Sequence, residues 1–586
     1  MFKLIAAFLP FLIAAAALFA EPATDLETRR KALNDLLNEQ WEYTLQNDPI
    51  FASIIGDKRW NDKVSDESIS AIKKDYEMAR KFVARFEAID TTGFPEQEAL
   101  NKELMVRNLR NDIDGEKFEN YLIPVNQMGG IHIQAPQVVS LLSFKTVKDY
   151  DDYIARLKAL PTLFDQITER MRSGMEKGLM PPKFLLEKVT VQTRGIAAQL
   201  PDQSPFALPL SDMPKNFSEA DRKRLQESMI AVIRDQVIPT YNKFADFVEK
   251  EYAPKGRTEV GVWSLPNGAE RYARSVRLST TTDLAPEEIH QLGLREVTRI
   301  EGEMLKIANK LKYNDLKTFN ASVRENKDLK AHSREQILDL YRKYIDQMEK
   351  ELPKLFGRLP KAPLIVMKVE EFREKEASGA QYEPPAPDGS RPGHVMVNTY
   401  EPEKRSTISM ESTAYHEGQP GHHLQLAIQQ ELPELPPYRQ QGGYGAFVEG
   451  WALYSERLGK EVSFYQDPYN DYGRLQDEML RAIRLVVDTG LHYKKWNRDQ
   501  VVQFFHDHSA IDEVEVQSET DRYIVWPAQA LSYKVGQLKI LELRERAKGK
   551  LGDRFDIREF HDMVLGAGAL PLNVLENRID NWIAAR

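Results

Sequence analysis

The stretch His416-Glu417-Gly418-Gln419-Pro420-Gly421-His422-His423 holds three of the chain's eleven histidines beside one carboxylate. It begins like H-E-x-x-H, in which histidines four residues apart share one helix face and hold zinc while the Glu works on a water. Here the i+4 position is Pro420, and the next histidines fall at i+6 and i+7. Helix is expected from Met410 to Gln419 and again from Leu424 to Gln430. Pro420 removes the hydrogen bond to the carbonyl of His416 and clashes with it, so the helix must kink or widen. On an undisturbed helix His423 would share the face of His416 but lie about 10.5 Å along the axis. Two nitrogens each about 2 Å from one ion cannot be that far apart. The Pro-Gly pair therefore reads as a two-residue bulge that carries His422 to the place of the i+4 ligand. His416 and His422 are then metal ligands, Glu417 is the base, and His423 is a polar neighbour. The exchange of His422 for His423 as ligand stays open, and so does a polar turn without metal.

A site of this kind needs a third ligand. The segment Tyr444 to Glu456 reads as a helix whose Gly445, Ala446 and Gly450 would let its backbone approach the motif helix, so that Glu449 reaches the metal. The loop Leu432 to Gly443, with three prolines and two glycines, makes the turn between the two. Glu456 shares the face of Glu449 and would orient a ligand histidine from behind. The chain has no cysteine, so the ligands of any metal must be His and carboxylate. One zinc per chain is expected, with the fourth position left to a water whose proton Glu417 accepts as it attacks a polarised carbonyl. Tyr523 and Tyr533 are the candidate donors to the resulting oxyanion. Arg522 and Lys534 would bind a substrate carboxylate. His492, near one helical face with Arg484 and Asp488, joins them on the substrate side. Each of these five also has a plain reading as an ion pair or core side chain.

Working outward, the pattern is mostly helical. From Asp25 to about Tyr252, segments such as Ser70 to Ile89 and Tyr150 to Met171 place apolar residues every three or four positions among charges. Breaks fall near Gly129-Gly130, Pro181-Pro182 and Leu200 to Pro214. A turn at Pro266-Asn267-Gly268 precedes an alternating segment around Arg271 to Ser279. Pro286-Glu287-Glu288 opens further long helices that run to about Phe356. Pro363 to Val369 and His394 to Thr399 read as strands, separated by a proline-rich loop, and the remainder is helical. A strand just before the motif could pair with an extended peptide by edge addition. The expected architecture is mainly α: a large helical protein with a deep cleft and a small β-sheet beside the motif helix. Residues 21–255 form an N-terminal helical region and 256–586 a catalytic-type region.

Bulk properties bound the function. At 586 residues the chain exceeds what one growing core holds. A net charge of −9 with both signs interspersed leaves no basic footprint for nucleic acid. Met1 to Ala20, with Lys3 and an apolar run to Phe19, reads as a secretory signal cleaved near Ala20. The whole chain has a mean hydropathy of −0.51, and its mature part is expected to be periplasmic or secreted without stable membrane insertion. Its oligomeric state is not readable.

These residues together resemble a large, mostly bacterial family, domain of unknown function 885. The resemblance rests on Pro266-Asn267-Gly268, Thr280 to His290, the octapeptide, Glu449-Gly450-Trp451-Ala452-Leu453-Tyr454, Arg484 to His492, and Asp521-Arg522-Tyr523 to Gly536. Ala528 stands where the pattern leads one to expect Gly. The resemblance implies a fold similar to gluzincin-type zinc peptidases and hydrolysis of oligopeptides. Two other readings stand beside it: a metal-free periplasmic binding or scaffold protein with a decayed site, and an iron site for oxygen chemistry. The second leaves Glu417 without a job.

Overall fold

Apolar residues one turn apart on otherwise charged segments dictate this architecture. In the helix Ile69–Glu87 the buried side chains are Ala79, Phe82 and Phe86, and Ser68 caps its start by accepting from Ala71 N at 3.2 Å. The computed structural model describes residues 25–369, 374, 377–387, 389 and 391–586. The expected leader, Met1 to Ala20, lies outside them. Among the described residues no helix is long and apolar enough to cross a membrane. The protein is mainly helical with one small sheet.

Helices run from Leu26 to Tyr252, and one core is built wholly from residues between Val125 and Ala253. The segment expected to alternate is instead helix α1 (Gly268–Thr280). Tyr272, Val276 and Thr280 are buried at four-residue spacing, so the helical period wins over the local alternation. Helix α2 (Pro286–Lys310) starts where its proline and acidic first turn indicate, with Glu288 accepting from Ala285 N at 2.7 Å.

Three strands follow: β1 (Leu364–Lys368), β2 (Ala380–Glu383) and β3 (Gly393–Val397). The order is β1-β3-β2, with β1 parallel and β2 antiparallel to β3. Strand β2 is absent from the sequence reading, since four residues beside a proline-rich loop carry almost no periodic signal. Its antiparallel register sets Tyr382 opposite Val395. The outer edges of β1 and β2 are unpaired among the described strands.

The remaining helices used below are α3 (Met410–Glu417), α4 (His422–Gln430), α5 (Gly445–Glu461), α6 (Pro468–His492), α7 (Glu513–Val525) and α8 (Ser532–Leu551). The small residues of α5 do not face the motif helix, as the sequence suggests, but α8. A Cβ on Gly536 would fall 1.8 Å from the carbonyl oxygen of Ala446 and 2.7 Å from the Cα of Gly450. The motif helix instead meets α5 near Gly459, where a Cβ would lie 2.9 Å from the Tyr415 ring. Helix α6 is tied in by buried Asp488, which accepts from the Tyr272 hydroxyl at 2.7 Å and from Ala528 N at 3.0 Å. Ala528 has φ 69°, the left-handed conformation that explains the expectation of Gly there.

The α5–α8 contact is backbone on backbone, so it cannot be relieved by a rotamer change. Gly536→Ala is expected to destabilise the protein by about 2–3 kcal/mol through overpacking. Gly549→Ala on the same helix, where nothing lies within 4 Å of the added Cβ, should instead stabilise by about 0.5–1 kcal/mol. Urea unfolding of both variants measures the contrast.

Candidate metal centre

Helix α3 stops at Glu417 and α4 begins at His422, so the motif is two helices rather than one bulged helix. Gly418 N still bonds to Ala414 O at 2.9 Å, Pro420 has no donor to offer, and the next ladder starts with Gln425 N on Gly421 O at 3.1 Å. His423 N reaches back to Gly418 O at 3.1 Å and closes the turn. A Cβ on Gly421 would lie 2.0 Å from the carbonyl oxygen of His416, so only glycine lets the chain fold back over the end of α3. Trp451 of α5 donates to Pro420 O at 2.9 Å and holds the turn from outside.

This reversal sets the His422 ring at right angles to the His416 ring, with centroids 4.8 Å apart. Glu449 Oε2 lies 3.5 Å from His422 Nε2 and 3.7 Å from His416 Nε2, and one donor atom from each residue falls within 4.8 Å of the others. Ligands about 2.0–2.2 Å from a tetrahedral zinc are about 3.4 Å apart. The set of two imidazoles and one carboxylate fits that ion in type and in spacing.

The field of the site is strongly cation-seeking. Glu456, itself buried, accepts from His416 Nδ1 at 2.7 Å, which turns His416 Nε2 toward Glu449. Burial opposes a charge on His416, but the carboxylates Glu449, Glu456 and Glu417 outweigh it and lift its pKa to about 10. Burial likewise opposes ionisation of Glu449, yet the His416 and His422 imidazoles beside it hold its carboxyl well below the usual range. Glu417, next along the chain and partly exposed, makes no hydrogen bond or ion pair of its own among the described residues.

His423 is not part of this set. It is fully buried, its Nε2 bonds to Ala362 O at 3.1 Å and its Nδ1 to the Tyr382 hydroxyl at 3.0 Å, and burial pushes its pKa down to about 4. Of the two histidines left open by the sequence, His422 is the one that faces His416 and Glu449.

Residues 49–579 match the family described as Bacterial protein of unknown function (DUF885). The chain belongs to that family. Its fold is similar to the crystal structure of the "putative lipoprotein" from Colwellia psychrerythraea, at 29% identity and a TM-score of 0.91, covering 95% of this chain and 100% of that one. A protein of Shewanella oneidensis with the same description and unknown function shares the fold at 18% identity and a TM-score of 0.69, covering 95% of this chain and 99% of its own. Among curated proteins, none matches the chain.

The remaining candidates of this DUF885 member stand as follows. Tyr533 is mostly buried, its hydroxyl accepts from Arg522 at 3.2 Å, and the Arg484 guanidinium lies 4.6 Å over its ring. It sits one turn before Gly536, where α8 touches the neighbour of Glu449. Tyr523 is fully buried, and its hydroxyl donates to Glu519 and accepts from Arg484 at 3.1 Å. His492 is spent on Val262 N at 2.9 Å and Tyr523 O at 2.9 Å, and burial pushes its pKa to about 3, so it is a neutral core histidine. Lys534, expected to meet a substrate carboxylate, is wholly buried between Glu478 at 2.7 Å and Glu296 at 3.0 Å. Arg522 is partly exposed but spends donors on Glu519 and Gln529.

Two groups near the site carry no motif. Arg481 approaches Glu456 at 3.9 Å from behind His416. Glu515 is exposed, yet desolvation and the carboxylates Glu519, Asp512 and Asp477 lift its carboxyl to about 7. A separate recess of about 470 Å³, between the helix Glu96–Gly115 and α1, shares no lining residue with the metal set.

Removing the Lys534 ammonium leaves buried carboxylates short of a partner. Lys534→Met is expected to lower stability in denaturant by about 3 kcal/mol. An unchanged unfolding midpoint with weakened peptide binding would return Lys534 to the substrate side.

Proposed function

We propose that this DUF885 protein is an exported zinc-dependent peptidase. The observation that carries the reading is the meeting of His416, His422 and Glu449 at zinc-ligand spacing beside Glu417, a carboxylate with no other partner among the described residues. Zinc, when bound, supplies Lewis-acid polarisation of the scissile carbonyl. Everything else falls to the chain's own residues. Glu456 keeps the proton on His416 Nδ1, so that Nε2 is free to ligate. Glu417 takes the proton of the attacking water and returns it to the leaving amine.

Of the two tyrosines, Tyr533 is the better oxyanion donor, because its hydroxyl accepts from Arg522 and keeps its own proton to give. The proton of Tyr523 already goes to Glu519. Arg522 then orients Tyr533 rather than binding substrate. The outer edge of β2, unpaired among the described strands, supports an extended peptide as substrate, since the Tyr382 ring of β2 stacks 6.5 Å from the ring of His422.

Export rests on the apolar segment Leu4 to Phe19 and on the likeness to a chain described as a lipoprotein. This sequence has no cysteine to carry a lipid.

Glu417→Gln should retain one zinc per chain and lose about 10²–10⁴-fold in kcat on peptides, whereas Glu449→Gln should lose the metal. Elemental analysis and a peptide-cleavage assay separate the two. Zinc must displace the proton on His416, so uptake at pH 7 should release a proton, and affinity should fall about tenfold per unit as pH drops below about 10. Calorimetry in buffers of different ionisation enthalpy reads that proton. A purified protein without stoichiometric metal, indifferent to chelator, would overturn the proposal.

A further inference from the structure

We infer that His423 is a positioning residue: its ring latches β2, β3 and the lead-in to β1 onto the helix that carries His422, and so sets where the outer edge of β2, unpaired among the described strands, lies relative to the metal set. The inference deepens the peptidase reading and rests on it for the role of that edge.

Its chemistry follows from the partners. The carbonyl of Ala362 only accepts, so His423 Nε2 carries the ring proton and donates at 3.1 Å. Nδ1 is then an acceptor, and the Tyr382 hydroxyl donates to it at 3.0 Å. Ala362 lies two residues before β1, and Tyr382 is in β2. The third strand closes on the same ring: a Cβ at Gly393, the first residue of β3, would stand 2.7 Å from His423 Nδ1 and 2.8 Å from the Tyr382 hydroxyl.

A second tie acts from the far end of α4. Glu431 accepts from Lys361 N at 2.8 Å and from Ala362 N at 2.9 Å. The lead-in to β1 is thus gripped by both ends of the helix that begins with His422. Among the described residues, β2 by contrast reaches α4 by one hydrogen bond, from Tyr382 to His423. That bond also fixes the Tyr382 ring, which stacks on His422.

A metal ligand and a latch give different signatures. His423→Leu removes both hydrogen bonds, His423→Gln offers an amide donor and a carbonyl acceptor in their place, and Tyr382→Phe keeps the ring stack but loses the donor. His423→Leu is expected to keep one zinc per chain, to speed amide exchange in 380–383 by about tenfold, and to raise peptide KM by about tenfold with kcat little changed. His423→Gln should recover most of both losses. Tyr382→Phe should speed exchange in 380–383 alone, and it carries the test if His423→Leu does not fold. Loss of zinc in His423→Leu, or unchanged exchange in 380–383 in Tyr382→Phe, would overturn the latch. Exchange is read without substrate or metal, so a wild-type protein that binds no zinc would sink the peptidase reading while leaving the latch to be decided by exchange.

Discussion

The constraint on which the site depends is the reversal of the chain over the carboxyl end of α3. Helix α3 presents its last carbonyls outward, and the turn Gly418–Gly421 crosses them so closely that a Cβ at Gly421 would meet His416 O at 2.0 Å. Without that crossing, His422 would follow the rise of a helix and move away from His416 at about 1.5 Å per residue. With it, six residues of separation return the second ring to the first. Proline and glycine contribute differently to the reversal. Pro420 withholds a donor from the α3 ladder, and Gly421 has no side chain to collide. Trp451 then closes the turn with one hydrogen bond, and Trp451 is two residues from Glu449. The same helix that supplies the carboxylate therefore braces the turn that supplies the second imidazole.

Three carboxylates around two imidazoles would repel one another in a low-dielectric site unless a cation sits among them. The same carboxylates lift the pKa of His416 to about 10 against the cost of burial. Glu456 lies behind His416, with Arg481 beyond it at 3.9 Å. Each layer offsets the charge of the one in front. A second ionic set, Lys534 with Glu296 and Glu478, is structural, joining α8 to α2 and α6.

Much of this was legible in the chain because it is local. The helical period, the start of α2 at Pro286, two strands, and the approach of Glu449 to His416 and to one of the two histidines after the turn follow from spacing and residue type. What was not legible is long-range. The glycines of α5 announce a close approach without saying to what, and the answer is α8. Strand β2 is four residues long, and its identity comes from pairing with β3 rather than from its own pattern. Tyr523, His492 and Lys534 have the right functional groups for a site, but burial and partners decide their role, and neither is written in a motif. The choice between His422 and His423 was open for the same reason: both follow the turn, and only the sheet distinguishes them.

That distinction explains why two adjacent histidines stand after the turn. Neighbours at the start of a helix point about 100° apart, so one imidazole can face α3 while the other faces the sheet. His422 takes the inward direction, toward His416 and Glu449. His423 takes the direction of Ala362, Tyr382 and Gly393. An apolar or charged residue there would leave either the Ala362 carbonyl or the Tyr382 hydroxyl without a partner, since an acceptor and a donor must be met at once. Neutral imidazole meets both. On the proposed reading, the pair couples the position of the ion to the edge along which an extended chain can lie.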